Sequence, residues 1–305
     1  MALDQGPVVQ SAILRNSLIR LRKEGQLTQE QVARDLEWSP SKLIRVEGGR
    51  SAITKTDLDA LLTLYGVTSD GERERLQGLN RAARETAWWD NYRDDISTPY
   101  LNFVGYEAGA TFIRQFVTNA VPGLLQTAEY AEVLTEGGVE AMKVAPVVKL
   151  RLQRQSELAK RSEQPYQYYV LDEAVTRRHV GIKKNPAIMP NQLKHIADRA
   201  EEDAGVIIRV IPFGSGAHGG LNVAGSFTLL EFDGGLPDLV YLDAGRGDVA
   251  VITGDDPEVS AYRDLFESLL EPAMPEDESI AFIRRAAEDM SLPVARRGFS
   301  HESLY

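Results

Sequence analysis

The sequence predicts an all-α N-terminal domain of five short helices over residues 1–85, a larger α+β domain with a mostly antiparallel sheet over 86–290, and a C-terminal tail at 291–305. Three observations predict it. The chain has 305 residues, 43% of them hydrophobic, enough for two packed cores. Its first third repeats a helical apolar period interrupted by capping residues. Further on, helical stretches alternate with runs rich in Val, Ile, Tyr, Phe and Leu. The late runs follow one another with no helix between them, which favours hairpins and a meander over a doubly wound parallel sheet.

Ile13, Leu14, Leu18, Ile19 and Leu21 recur at helical spacing, and Gly25 is the expected terminator of a first helix ending near Glu24. Thr28-Gln29-Glu30-Gln31 has the form of a capping box and opens a second helix, with Val32, Ala33 and Leu36 on one face. Ser39 is the expected N-cap of a third helix. Pro40 follows at its first position, where a missing N–H costs nothing. That helix carries Leu43 and Val46 inward, leaves Ser41, Lys42 and Arg45 outward, and stops at Gly48-Gly49. The small side chain of Ala33 lets the two axes approach at the corner. Helices at about Thr56–Leu64 and Asp70–Arg84 complete the five.

Charge is unevenly spread around the net value of −11. Residues 1–85 carry 13 Lys and Arg against 12 Asp and Glu, and residues 86–305 carry 21 against 33. Within 15–55 the balance is 9 basic to 5 acidic, the one early basic concentration. An acidic surface repels polyphosphate, so a nucleic-acid contact is expected only there. The chain has no cysteine, which excludes disulfides, thiolate metal sites and a cysteine nucleophile. His179, His195, His218 and His301 lack metal-ligand spacing, and neither metal nor cofactor is expected. With no signal-like start and no 18-residue apolar run, the expectation is a cytoplasmic protein without membrane contact.

The segment from Thr28 to Arg50, TQEQVARDLEWSPSKLIRVEGGR, resembles the helix-turn-helix of λ-repressor-like regulators of the XRE family, over roughly residues 10–85. The resemblance implies double-stranded operator DNA as partner, with the second motif helix in the major groove. It assigns Gln29 to a phosphate and Ser41, Lys42 and Arg45 to base edges. Ser39 stands beside them at the start of that helix, and Arg50 and Lys55 are expected backbone contacts. Two positions depart from the family. Glu37 stands where glycine with positive φ is common, and Pro40 stands where some members read a base with glutamine.

Beyond residue 85, Trp88, Trp89 and Tyr92 cluster at a junction. Helices are expected at Leu125–Val133, Val144–Lys160, Pro190–Glu202, Pro257–Leu270 and Glu276–Met290, and strands at Tyr166–Leu171, Val206–Pro212, Gly225–Glu231, Pro237–Leu242 and Val249–Thr253. Phe112-Ile113-Arg114, the run from Val121 to Ala131, Arg151-Leu152-Gln153-Arg154-Gln155 and Ile211-Pro212-Phe213-Gly214 make most of 86–290 similar to a domain of actinobacterial WhiJ-like, antitoxin-like regulators. That resemblance implies a small partner protein.

No catalytic set emerges. Gly214–Gly220 has neither the end of a phosphate loop nor a nucleophile elbow and is expected to be a hairpin loop. His179 and His218 find no carboxylate partner by spacing. The basic run of Lys149, Arg151, Arg154, Lys160 and Arg161 is read as a solvated helix face. The sequence thus points to a non-enzymatic regulator that binds DNA as a homodimer, its second domain sensing a ligand or a partner. A small-molecule effector would sit against some of Trp88, Trp89, Tyr92, Tyr168 and Tyr169. The alternative is an antitoxin-like interaction module that sequesters a small partner and autoregulates.

Overall fold

The computed structural model describes residues 6–223, 225–243, 249–253 and 256–291. The expected tail from residue 292 onward lies outside the described residues. The chain forms two compact units. One comprises the residues up to Asn91 together with Leu101–Ala110 and Phe232–Leu236; the other comprises Tyr92–Tyr100, Thr111–Glu231 and the residues from Pro237 on. The first unit therefore reaches beyond residue 85 and is assembled from three segments.

In the first unit, five helices stand where the periodicity places them: α1 (Pro7–Glu24), α2 (Gln29–Asp35), α3 (Pro40–Glu47), α4 (Lys55–Leu64) and α5 (Asp70–Ala82). Their core holds Leu18, Val32, Leu43, Leu58, Leu61 and Leu76, joined by Leu236. Thr28 closes the capping box at α2: its Oγ1 accepts from Gln31 N at 3.1 Å, and its own N–H donates to Gln31 Oε1 at 2.8 Å. Thr54 and Ser69 cap α4 and α5. Ser39 occupies the N-cap position of α3 but makes no side-chain cap. Its Oγ lies 3.3 Å from Ser41 Oγ instead.

Helix exits follow one rule with two residue types. Arg50 N donates to Arg45 O after α3, and Val67 N to Leu62 O after α4, each around a glycine of positive φ, Gly49 at 68° and Gly66 at 70°. The same bonds run from Leu27 N to Arg22 O and from Trp38 N to Ala33 O, but the left-handed residues there are Gln26 at φ 53° and Glu37 at φ 55°. The first helix thus ends at Glu24 as expected, with Gly25 at φ −75° and Gln26 making the left-handed turn in its place. A short 3₁₀ segment, Trp88–Tyr92, and α6 (Thr98–Glu107) follow. Trp89 is buried, and a Cβ on Gly105 would lie 3.1 Å from it.

The second unit is built on a six-stranded sheet ordered β3-β2-β1-β4-β5-β6. The strands are β1 (Phe112–Val117), β2 (Tyr166–Asp172), β3 (Val206–Ile211), β4 (Phe227–Glu231), β5 (Leu239–Asp243) and β6 (Val249–Thr253). Its helices are α7 (Ala128–Glu136), α8 (Ala141–Ala159), α9 (Glu173–Arg177), α10 (Ile188–Glu202), α11 (Pro257–Ser268) and α12 (Glu276–Ser291).

The sheet is mixed. β1, β2 and β3 pair in parallel, Phe112 opposite Tyr166 and Gln167 opposite Val206, while β4, β5 and β6 form the expected antiparallel meander against β1. The parallel half arises because helices separate β1, β2 and β3 along the chain. β3 and β4 are not neighbours, so the Gly214–Gly220 segment belongs to a crossover rather than the expected hairpin.

Alternation sorts the strands onto two cores. Tyr169, Leu171, Ile208 and Val210 pack with α10 and α12; Phe116, Val170, Phe227 and Leu229 pack with α11. The edge strand β3 is covered: Val210 N donates to Ser279 Oγ at 3.0 Å and Met274 N donates to Val210 O at 2.9 Å.

Candidate nucleic-acid interface

The tetrapeptide Leu36-Glu37-Trp38-Ser39 joins α2 to α3, and Glu37 in the left-handed region reverses the chain within it. One face of α3 buries Leu43 and Val46; the opposite face leaves Ser41, Ile44 and Arg45 exposed. Behind the corner, Glu47 is almost fully buried and gathers three helices. Arg22 of α1 reaches it with two hydrogen bonds, Nε to Oε1 at 2.6 Å and Nη2 to Oε2 at 2.9 Å, and Gln29 Nε2 of α2 donates to Oε2 at 2.6 Å. The hydrogen bond to Glu47 raises the Arg22 pKa further, which holds the guanidinium in its charged form.

The sequence-predicted contacts fall into two groups. Arg45, Arg50 and Lys55 are exposed, and Arg45 Nη1 donates to Ser41 Oγ at 3.0 Å one turn back. Ser39, Ser41 and Arg45 therefore share the outer start of α3. The other two are committed within the protein. Gln29 holds Glu47, while Lys42 donates to Asp57 Oδ1 at 2.7 Å and lies 3.9 Å above the Trp38 ring. Burial opposes ionisation of Asp57, but hydrogen bonds from Lys42 and Thr54 outweigh it and hold its pKa low. Trp38 and Asp57 escape the motif reading. Spacing alone could have found Trp38, which stands four residues before Lys42.

Each of the aromatic residues among which a ligand site is expected has its own packing. Trp88 and Trp89 pair edge to face at 5.4 Å, and buried Tyr92 donates to Gln153 Oε1 at 2.7 Å. Tyr168 and Tyr169, adjacent on β2, point to opposite faces of the sheet. Tyr168 packs edge-on against Phe266, and Tyr169 lies in the other core with its hydroxyl on Gln167 Oε1 at 2.7 Å. His218 does meet a carboxylate that spacing could not show, Asp172 Oδ2 at 3.7 Å from Nε2, beyond hydrogen-bond reach. The hydroxyl of Ser215 in the same loop donates to Pro272 O at 2.8 Å.

Two helices joined by a tight turn, the second with a polar outer face, make a helix-turn-helix, a DNA-binding class of fold. In agreement, residues 14–76 match the family described as a helix-turn-helix domain. Residues 100–285, more than half of the chain, match the family described as domain of unknown function DUF5753, and the chain belongs to that family. No curated protein and no solved structure gives a match. No described helix is long and apolar enough to cross a membrane, and among the described residues no cluster of three or more His, Asp or Glu could hold a metal ion.

Proposed function

We propose that the protein is a cytoplasmic, sequence-specific transcriptional regulator that binds double-stranded operator DNA as a homodimer. In this reading the C-terminal domain senses a ligand or partner and performs no catalysis. The observation that carries it is the outer start of α3, where Ser39, Ser41 and Arg45 stand exposed together with Arg50 and Lys55 just beyond. Arg45 supplies a planar fork suited to guanine O6 and N7, and the flanking cations suit phosphates. Gln29 and Lys42 then act by fixing helix positions. Dimerisation follows from size, since one short helix reads few base pairs and two-fold pairing doubles the contacts.

The test is a genome-wide DNA pull-down with the purified protein at near-physiological salt, comparing wild type with the Arg45→Ala variant. A short palindromic site lost in the variant is the expected result. Diffuse, salt-sensitive binding equal in both proteins would overturn the reading. An antitoxin-like module that sequesters a small partner is the second reading, in the spirit of the WhiJ-like resemblance. The groove between α7 and α8 favours it: Val144, Val148 and Leu152 line it, and Val139 at its end is 39% exposed. Co-purification of a stoichiometric small protein would support that reading.

A further inference from the structure

We propose that the second unit holds a binding pocket for a small carboxylate with an apolar body, lined by α8, the start of β2 and α10. The proposal rests on the reading of the C-terminal domain as a sensor and replaces the dispersed aromatics with a defined site. The cavity has a volume of about 340 Å³, ample for a small molecule. Leu124, Leu152 and Leu158 give it an apolar wall. Its only titratable lining residues among those described are His195 and Arg199, one helical turn apart on α10.

Two of the groups that line this cavity, Arg199 and Gln167, bring donors to it. Arg199 uses Nη2 on Asp203 Oδ2 at 3.1 Å, which leaves Nε and Nη1 for a bound anion. Asp203 is held in turn, its Oδ1 accepting from Gly205 N at 3.0 Å. Gln167, buried at the start of β2, accepts from the Tyr169 hydroxyl through Oε1, so its Nε2 is left to donate. His195 has no hydrogen-bond partner among the described residues, and burial first, then the nearby Arg199, depress its pKa. A carboxylate between Arg199 and Gln167 satisfies these donors and adds a second acceptor to the guanidinium that Asp203 already holds.

Gln155 supplies the complementary acceptor. Its Nε2 donates to Gly123 O at 3.0 Å and Gln126 O at 2.9 Å, leaving Oε1 for a hydroxyl or amide N–H on the ligand. Selectivity for the acid over its neutral amide follows, because only the acid brings a negative charge to the Arg199 guanidinium.

Hexanoate is the probe, titrated into the full chain by calorimetry, with hexanamide as its neutral match. Saturable hexanoate binding is expected, with at least about tenfold weaker binding of hexanamide and at least about tenfold loss in Arg199→Gln and in Ala159→Phe, whose ring fills the cavity. Circular dichroism and urea unfolding establish that both variants fold. Absence of saturation at millimolar hexanoate, or equal affinity in wild type and both folded variants, overturns the pocket. DNA retention is scored separately. Operator binding without hexanoate binding removes only the pocket, and hexanoate binding without operator binding removes only the regulator.

Discussion

The helical unit and the sheet unit reach their folds by different kinds of instruction. Every helix of the first unit from α2 to α5 starts at a Thr or Ser, and the exits of α1 to α4 are hydrogen-bonded within six residues. Signals of that range can be read one turn at a time. The second unit is held by pairings such as Arg114 with Glu231 and Val210 with Ser279, between residues 117 and 69 positions apart. Local signals fix where its elements lie, but only the assembled sheet fixes their order.

The strongest way to break this contrast is to remove the most buried long-range ion pair described in the helical unit. Glu47→Ala leaves the Arg22 guanidinium, 13% exposed, without its carboxylate. We expect a loss of about 3–5 kcal/mol by urea unfolding, with faster amide exchange across α1 to α3 and little change in the sheet. A loss under about 1 kcal/mol would mean that water reaches Arg22 and that capping alone holds the corner. Next in size is Arg45→Ala, expected to weaken operator binding by about 1–3 kcal/mol while leaving the urea midpoint unchanged. A shift in that midpoint would give Arg45 a structural role instead.

Glu37→Gly and Gln26→Gly sharpen the local side of the comparison. Relief of left-handed strain, about 1–2 kcal/mol, exceeds the entropy glycine adds to the unfolded chain, so each is expected to stabilise by up to about 1 kcal/mol in thermal unfolding. Destabilisation by either would show that a side-chain contact, and not the backbone, selects the residue. The smallest effect is expected from His195 in the sheet unit. Its folded pKa lies below the ordinary 6.5, so the unfolded chain takes up the proton first as pH falls. Stability should decline as pH drops through 6.5 and level off below the folded pKa. His195→Gln should flatten that part of a urea-midpoint profile.

Legibility in the sequence divides along the same line. The five N-terminal helices, five later helices and five strands are readable because each carries its own period or cap. β1 is not, since Phe-Ile-Arg-Gln-Phe-Val alternates poorly and seats Arg114 in a central strand, where Glu231 and Glu267 neutralise it. With β1 unseen, the first helix-linked crossover has no starting strand, and half of the parallel pairing stays hidden. The site divides similarly. Exposure of Arg45 follows from helix geometry, but the commitment of Lys42 to Asp57 depends on α4. The opposed directions of Tyr168 and Tyr169 follow from strand alternation once β2 is placed.

The three-segment make-up of the helical unit bears on how such proteins can be recombined. Residues up to Asn91 are joined there by Leu101–Ala110 and Phe232–Leu236, with Leu236 in the same core as α1 to α5 and Tyr106 edge-on to Phe232 at 6.2 Å. A helix-turn-helix module of this kind is not a detachable cassette. Grafting residues 1–91 alone onto another scaffold would bring a core with pieces missing. A chimaera that keeps its fold must transplant all three segments together, so inheritance of the helix-turn-helix is tied to inheritance of Phe232–Leu236, more than a hundred residues away.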